Sequence, residues 1–190
     1  MLALVPRATI GAALALVTAS GSVELHGQSH AEAARLSGIQ TAPGRQGQVL
    51  FPELTSPVND FAHVIDANHG SAIDVAIRRL FMRTRDVVVV TTLRTCAPIS
   101  DVRECSMKVF DNHGKGIGAA GRDNGVLILL AVADRQLRIT TGSGMESIVT
   151  DRIAAEIVQE MTPSFRRREY GAGLQLGVDR VIATIVQARR

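Results

Sequence analysis

Aromatic residues are scarce in this chain. Its 190 residues include no tryptophan, one tyrosine and five phenylalanines, although hydrophobic residues make up 46% of the total. The core must therefore consist mainly of valine, isoleucine, leucine and alanine, a composition that suits buried strands covered by helices. A chain of this length has enough residues for one domain with a full core, and we predict one domain.

A strong net charge is also lacking. Lysine and arginine total 21 against 18 acidic residues, a formal net charge of +3. Removal of a leader that contains Arg7 would leave 20 basic residues (21 − 1) and the same 18 acidic residues, or +2. Neither a basic stripe nor basic residues interleaved with aromatic ones are present, and such patterns are typical of nucleic-acid surfaces. We expect no nucleic-acid partner.

No apolar run is long enough to span a membrane. The run over residues 8–17 is shorter than the ~20 residues that a spanning helix needs. Arg7 precedes this run and the small residues Val17-Thr18-Ala19 end it, a pattern typical of a signal peptide. We predict cleavage after about Ala19 and a periplasmic or secreted protein without a transmembrane segment in the mature chain. The alternative is an uncleaved anchor that holds the protein on the membrane.

The domain organisation follows from composition. Residues 20–49 are rich in glycine, serine, glutamine, alanine and histidine, contain the turn signal Pro43-Gly44 and show no sustained apolar period. Such a segment is expected to be a flexible linker. The sequence therefore predicts a signal peptide or anchor over 1–19, a linker over 20–49 and a folded domain over 50–188.

Cysteine is nearly absent as well. Cys96 and Cys105 are the only two, with eight residues between them. No CxxC motif or cysteine–histidine spacing indicates zinc binding or thiol redox chemistry. In an oxidising compartment we expect a disulfide between them, and two unpaired structural cysteines are the alternative.

Hydrophobic periodicity predicts alternating helices and strands. The predicted elements are helices over 71–82 and 99–111, a buried strand over 87–93, a hairpin of strands over 125–133 and 136–141, a helix that starts at Thr150 or Asp151 and stops at Pro163, and a last helix from about Gly171. This order predicts an α/β fold with a mixed sheet and helices on both faces. The glycine-rich loop over 113–121 runs from helix to strand, opposite to a dinucleotide-binding motif, so we predict no nucleotide site.

Short motifs along the chain resemble those of the TPM-domain family. They include Val58-Asn59-Asp60-Phe61-Ala62, Gly116-Ile117-Gly118, Asp123-Asn124-Gly125-Val126-Leu127, Gly142-Ser143-Gly144-Met145-Glu146 and Tyr170-Gly171-Ala172-Gly173. Their order and spacing cover about residues 52–187. The family includes thylakoid-lumen phosphatase-like proteins and bacterial envelope proteins. The resemblance implies a three-layer α/β/α sandwich and a metal-dependent acid phosphatase activity in the cell envelope. It equally implies a non-enzymatic, calcium-binding interaction or assembly module.

Four carboxylates fall at the ends of loops or elements. They are Asp60, Asp123, Glu146 and Asp151. If they converge, their oxygens could hold Ca²⁺ or Mg²⁺, which would polarise a phosphoryl group. The alternative is that the aspartates cap turns and a helix while Glu146 pairs with an arginine.

Two arginines could contact a phosphate. The side chains of Arg135 and Arg122 can each donate two hydrogen bonds to phosphate oxygens, although Arg135 lies at a predicted hairpin turn and could equally be a surface residue. No nucleophile elbow, Cys-x5-Arg pattern or DxDx motif marks a catalytic nucleophile. The expected partner is a phosphorylated small molecule for the enzyme and an envelope protein for the module.

Overall fold

The computed structural model describes residues 51–190, so the predicted signal peptide and linker lie outside the described residues. The strands are β1 (Val58–Asp60), β2 (Val87–Leu93), β3 (Gly125–Ala131) and β4 (Gln136–Thr141). The α-helices are α1 (Ala67–Thr84), α2 (Val102–Asp111), α3 (Asp151–Arg166) and α4 (Tyr170–Ala188). Short 3₁₀ turns follow α2 (Asn112–Gly114) and β4 (Ser143–Met145).

The four strands form one mixed sheet in the order β1-β2-β3-β4. The first three run parallel to one another, and β4 pairs antiparallel with β3, which confirms the predicted hairpin. The strand ends lie at two opposite ends of the sheet. We call the end where β2 and β3 begin and β4 ends the amino edge, and the end where β2 and β3 end and β4 begins the carboxyl edge. Loops that leave β1 and β2 therefore lie at the carboxyl edge, far from the loop that enters β3.

Helices cover both faces of the sheet. Alternate strand residues such as Val88, Val90 and Ile128 pack with α1, α3 and α4 in one buried cluster. The residues between them, such as Val89 and Leu127, pack with α2 in another cluster. A strand buried on both faces needs no polar alternation, which explains the continuous valine run of β2. The predicted α/β/α sandwich is confirmed.

One short strand was missed by the sequence prediction. Strand β1 has three residues, too few to show a period of two. It exists because it pairs with the central part of β2, with Val58 opposite Val90. Helix α1 also begins earlier than predicted, at Ala67, because the Asp66 carboxylate accepts a hydrogen bond from the His69 backbone N–H at 3.1 Å and caps the helix.

The predicted stop of α3 at Pro163 is wrong, since the helix continues to Arg166. A proline has no backbone N–H and forfeits one helical hydrogen bond. The turn after it is held by packing: the Phe165 ring stacks on Tyr170 with 6.1 Å between centroids and contacts the core cluster. Tertiary packing therefore outweighs the local signal of Pro163.

A disulfide joins the loop after β2 to α2. The sulfur atoms of Cys96 and Cys105 are bonded, their Cα atoms are 5.9 Å apart and both residues are fully buried. This confirms the predicted pairing. Across the described part of the chain, every helix is too short or too polar to cross a membrane.

Candidate functional site

Asp60 lies at the carboxyl edge and is bound by its own loop. Its Oδ1 accepts hydrogen bonds from the Val64 backbone N–H at 3.1 Å and from the Thr92 hydroxyl, and its Oδ2 accepts from the Ile65 N–H at 2.9 Å. These bonds fix the turn between β1 and α1. Both oxygens therefore have structural partners. This arrangement fits the alternative interpretation, in which Asp60 caps a turn and does not bind a metal.

Asp123 lies at the opposite, amino edge, directly before β3. Its backbone is in the left-handed region, with φ of 45°, and its Oδ2 accepts a hydrogen bond from the Ser143 hydroxyl at 3.0 Å. The chain after β4 passes very close: a Cβ on Gly142 would lie 2.1 Å from the Asp123 carbonyl oxygen. Two glycine-containing segments thus bring the Asp123 loop and the loop after β4 together.

Glu146 and Asp151 line one open groove along β4. The groove has a volume of about 780 Å³ and lies between α2 and α3, and we call it the β4 groove. Thr150, not Asp151, caps α3, because its hydroxyl accepts a hydrogen bond from the Ile153 N–H at 3.3 Å. Asp151 is the first residue of α3 and Glu146 follows the 3₁₀ turn. Within residues 51–190 neither carboxylate forms a hydrogen bond or a salt bridge.

The two predicted phosphate ligands are separated. Arg135 lies in the β3–β4 turn at the carboxyl edge, with φ of 54°. Arg122 precedes Asp123 at the amino edge. Arg122 therefore lies beside Asp123 at the amino edge, whereas Arg135 lies on the side of Asp60. The six predicted residues do not converge on one site.

The oxygen atoms of the four predicted carboxylates suit a hard cation, but these side chains lie too far apart to coordinate one ion together. Carboxylate oxygens are the ligands that Ca²⁺ and Mg²⁺ prefer. Within residues 51–190, however, no three histidine, cysteine, aspartate or glutamate side chains lie close enough together to hold one ion. No chemical step can therefore be assigned to a metal held by all four carboxylates.

Sequence reasoning missed a buried charged cluster at the amino edge. Asp86 is fully buried and accepts hydrogen bonds from the Arg189 guanidinium at 2.9 and 3.0 Å and from the Asn124 amide at 3.3 Å. Burial raises the pKa of the Asp86 carboxyl, but the hydrogen bonds from Arg189 and Asn124 outweigh it and leave that pKa below its ordinary value. The sequence signal for this cluster was Asp86 itself, an isolated aspartate directly before the buried valine run of β2.

A second cavity lies beside β2. Its volume is about 620 Å³, and its lining is mostly apolar, including Phe81 and Met82 of α1 and Val88 of β2. Its one charged lining residue, Arg78, forms a salt bridge with Asp74 at 2.6 Å. This lining does not suit a phosphate.

Comparison with known proteins identifies the family. The family model of the TPM domain matches residues 58–184, more than half of the chain. The chain belongs to the TPM-domain family, as the motifs around Asp60, Asp123 and Gly142 predicted. No curated protein matches the chain.

Solved structures of bacterial domains share the fold. The N-terminal domain of a protein from P. gingivalis is 24% identical with a TM-score of 0.63, covering 70% of this chain and 84% of that one. The N-terminal domain of the cg2496 protein from Corynebacterium glutamicum is 17% identical with a TM-score of 0.54, covering 72% and 84%. The BA42 protein from Bizionia argentinensis is 26% identical with a TM-score of 0.54, covering 65% and 82%. These similarities concern the fold.

Proposed function

We propose that this TPM-domain protein is an exported interaction module of the cell envelope that binds a partner protein and does not hydrolyse phosphate esters. One observation carries the proposal: the side chains that would bind and cleave a phosphate are divided between two opposite edges of the sheet. Asp60 and Arg135 lie at the carboxyl edge, whereas Asp123 and Arg122 lie at the amino edge.

The hydrogen bonds of the aspartates support the same proposal. Asp60 accepts two hydrogen bonds within its own turn and a third from Thr92 of β2, and Asp123 accepts one from Ser143. Carboxylates satisfied in this way stabilise loops, and a general base needs an oxygen within reach of a substrate proton instead. A polar surface available to a ligand is the β4 groove, which is large and bordered by two helices.

A divalent cation remains part of the proposal, held by two carboxylates and not by four. Glu146 and Asp151 both line the β4 groove. One or two carboxylates suffice for Mg²⁺, and Ca²⁺ likewise completes its coordination with water oxygens. A cation there would neutralise these two carboxylates and so change which partner charges the groove accepts.

Phosphatase activity is the second candidate, because one edge does collect suitable groups. Arg122, Asp123 and Glu146 all lie at the amino edge, where a phosphate could meet a guanidinium and a metal-binding carboxylate. This candidate needs an attacking group, and the Ser143 hydroxyl at the amino edge already donates a hydrogen bond to Asp123.

Cross-linking in the producing cell tests the interaction module. We expect a specific covalent adduct heavier than the mature chain, formed in the envelope fraction. The adduct should persist in the Arg122→Gln/Asp123→Asn double variant, because partner binding does not use a phosphatase centre. Monomer alone in the wild type, or an adduct that the double variant abolishes together with a phosphatase activity, would contradict the proposal.

A further inference from the structure

Strand β4 is an edge strand with an open hydrogen-bonding side. The Gly142 N–H donates to the Gly125 carbonyl at 2.9 Å, so Gly142 faces β3. Backbone groups alternate along an antiparallel strand, so Thr140 and Arg138 also face β3, whereas Leu137, Ile139 and Thr141 face outward. Within residues 51–190 no hydrogen bond to the N–H or carbonyl group of these three outward residues is found.

The two sides of the β4 groove differ in chemistry. The Ile139 side chain belongs to the core cluster under α3, where Val149, Ala154 and Val158 line the groove. The opposite side faces α2, because the Thr140 hydroxyl is hydrogen-bonded to Ser106. Side chains of an added strand would likewise alternate between an apolar side and the α2 side.

The α2 side of the groove is basic. Arg138 shares a face with Thr140 by strand alternation, and Arg103 of α2 also lines the groove. The Arg138 Nε is buried and has no hydrogen-bond partner within the part of the chain that the structure describes. Neither arginine takes part in a salt bridge there. A buried donor without an acceptor is costly. Glu146 and Asp151 also line the groove but form no hydrogen bond with Arg138, so a carboxylate of a bound partner would supply the acceptor.

We propose that the β4 groove binds an extended segment of a partner protein as a fifth strand, with acidic side chains toward Arg138 and Arg103 and small apolar side chains toward α3. Backbone hydrogen bonds to Leu137, Ile139 and Thr141 supply the pairing, and the two sides of the groove supply specificity. This inference rests on the proposed function and names the chemistry of the partner.

A second copy of the chain fits this groove less well. On its α2-facing side β4 carries glutamine, arginine and threonine, so pairing β4 with itself brings no carboxylate to Arg138. It would also place two arginines on the same face of neighbouring strands, where like charges repel. An acidic partner strand avoids both problems.

The test uses the full chain and a capped peptide of about seven alternating valine and glutamate residues, long enough to pair along the strand. We expect saturable binding by titration calorimetry, with NMR shifts of the Leu137, Ile139 and Thr141 amides. A valine–lysine peptide should bind at least about tenfold more weakly, because it cannot accept charge-assisted hydrogen bonds from Arg138.

N-methylation of the peptide distinguishes strand addition from simple charge attraction. In an added strand, alternate N–H groups face β4 and the others face away. Methylating the valines and methylating the glutamates should therefore have unequal effects, one abolishing binding and the other leaving it nearly unchanged. Arg138→Gln and Arg103→Gln should weaken binding of the valine–glutamate peptide severalfold, whereas Arg166→Gln, on the exposed end of α3, should not. Thermal melts establish that each variant is folded.

Three outcomes would overturn the inference. They are no binding at millimolar peptide, equal effects of the two methylated peptides, and a concentration-dependent dimer that Arg138→Gln strengthens. If the peptide fails while the cross-linked adduct persists in cells, the groove assignment is wrong and the interaction module stands. If the adduct is also absent, both proposals fail.

Discussion

Asp86 and Arg189 join the start of β2 to the end of the last helix. The carboxylate is fully buried, and the arginine is 39% exposed. The pKa of Asp86 is below its ordinary value, so its charged form contributes to stability above the unfolded pKa of about 3.9. That contribution is lost as the pH falls through the lower folded pKa. The pair therefore stabilises the domain at neutral pH and fails in strong acid.

Arg189→Met should lower the free energy of unfolding by about 2–3 kcal/mol at pH 7, somewhat less than for a fully buried pair because Arg189 reaches solvent. The difference from wild type should shrink as the pH falls and Asp86 becomes protonated, because the neutral carboxyl no longer needs a cation. Urea unfolding at several pH values measures this, with Arg190→Met as the control. A difference that does not change with pH would contradict the assignment.

Single residues of the site were partly predictable. The motifs gave the positions of Asp60, Asp123, Glu146 and Asp151, because each motif marks the end of an element. Their grouping was not predictable, since it depends on strand direction. Because β1 and β3 are parallel, an aspartate at the end of β1 and an aspartate before the start of β3 lie at opposite edges. The sequence shows that both aspartates adjoin loops, but it does not show at which edge of the sheet each of them lies.

At the scale of elements, the amino edge depends on backbone contacts that only glycine permits. A Cβ on Gly142 would lie 2.1 Å from the Asp123 carbonyl oxygen, whereas a Cβ on Gly70, in α1, would lie 3.7 Å from the nearest side chain. Gly142 therefore holds the loop after β4 against the loop before β3. Gly70 has ordinary packing space.

Gly142→Ala should destabilise the domain by about 2–4 kcal/mol, because two backbone segments must move apart. Gly70→Ala should stabilise it by about 0.5–1 kcal/mol, because alanine is the better helix former and nothing clashes. Chemical denaturation of both variants measures the contrast. Equal effects of the two substitutions would show that the close approach at Asp123 does not matter.

The disulfide ties the loop after β2 to α2. Replacing Cys96 and Cys105 together by alanine should lower the free energy of unfolding by about 2–3 kcal/mol, the chain-entropy value for so short a loop. Reductant should destabilise the wild type and leave the double variant unchanged. An unfolding free energy equal to that of the oxidised wild type would show that the link contributes nothing.

Most elements were predictable because their signals are local. The valine run of β2 and the hairpin of β3 and β4 follow from composition and alternation alone. The exceptions are elements decided by tertiary contacts: β1 requires β2 as its partner, and α3 continues past Pro163 because Phe165 packs on Tyr170. The open side of β4 could not be predicted either, since it depends on the order of strands in the sheet.

For the whole molecule, Ca²⁺ or Mg²⁺ should act as a weak ligand. A cation held by Glu146 and Asp151 should stabilise the folded state by about 1.4 kcal/mol at ten times its dissociation constant. Glu146→Gln should abolish the rise in melting temperature. Asp60→Asn should lower the melting temperature without metal and leave the response to metal intact, because Asp60 lies at the other edge. An Asp60→Asn variant that no longer responds to calcium would contradict this arrangement.

The central claim is that the domain binds and does not catalyse. Its most direct test is the turnover of 4-nitrophenyl phosphate by the purified full chain at acidic pH, with EDTA and with millimolar Ca²⁺ or Mg²⁺. We predict a rate no greater than that of the Arg122→Gln/Asp123→Asn variant under every condition. Saturable turnover that requires a divalent cation and disappears in that variant would contradict the claim and establish a phosphatase at the amino edge.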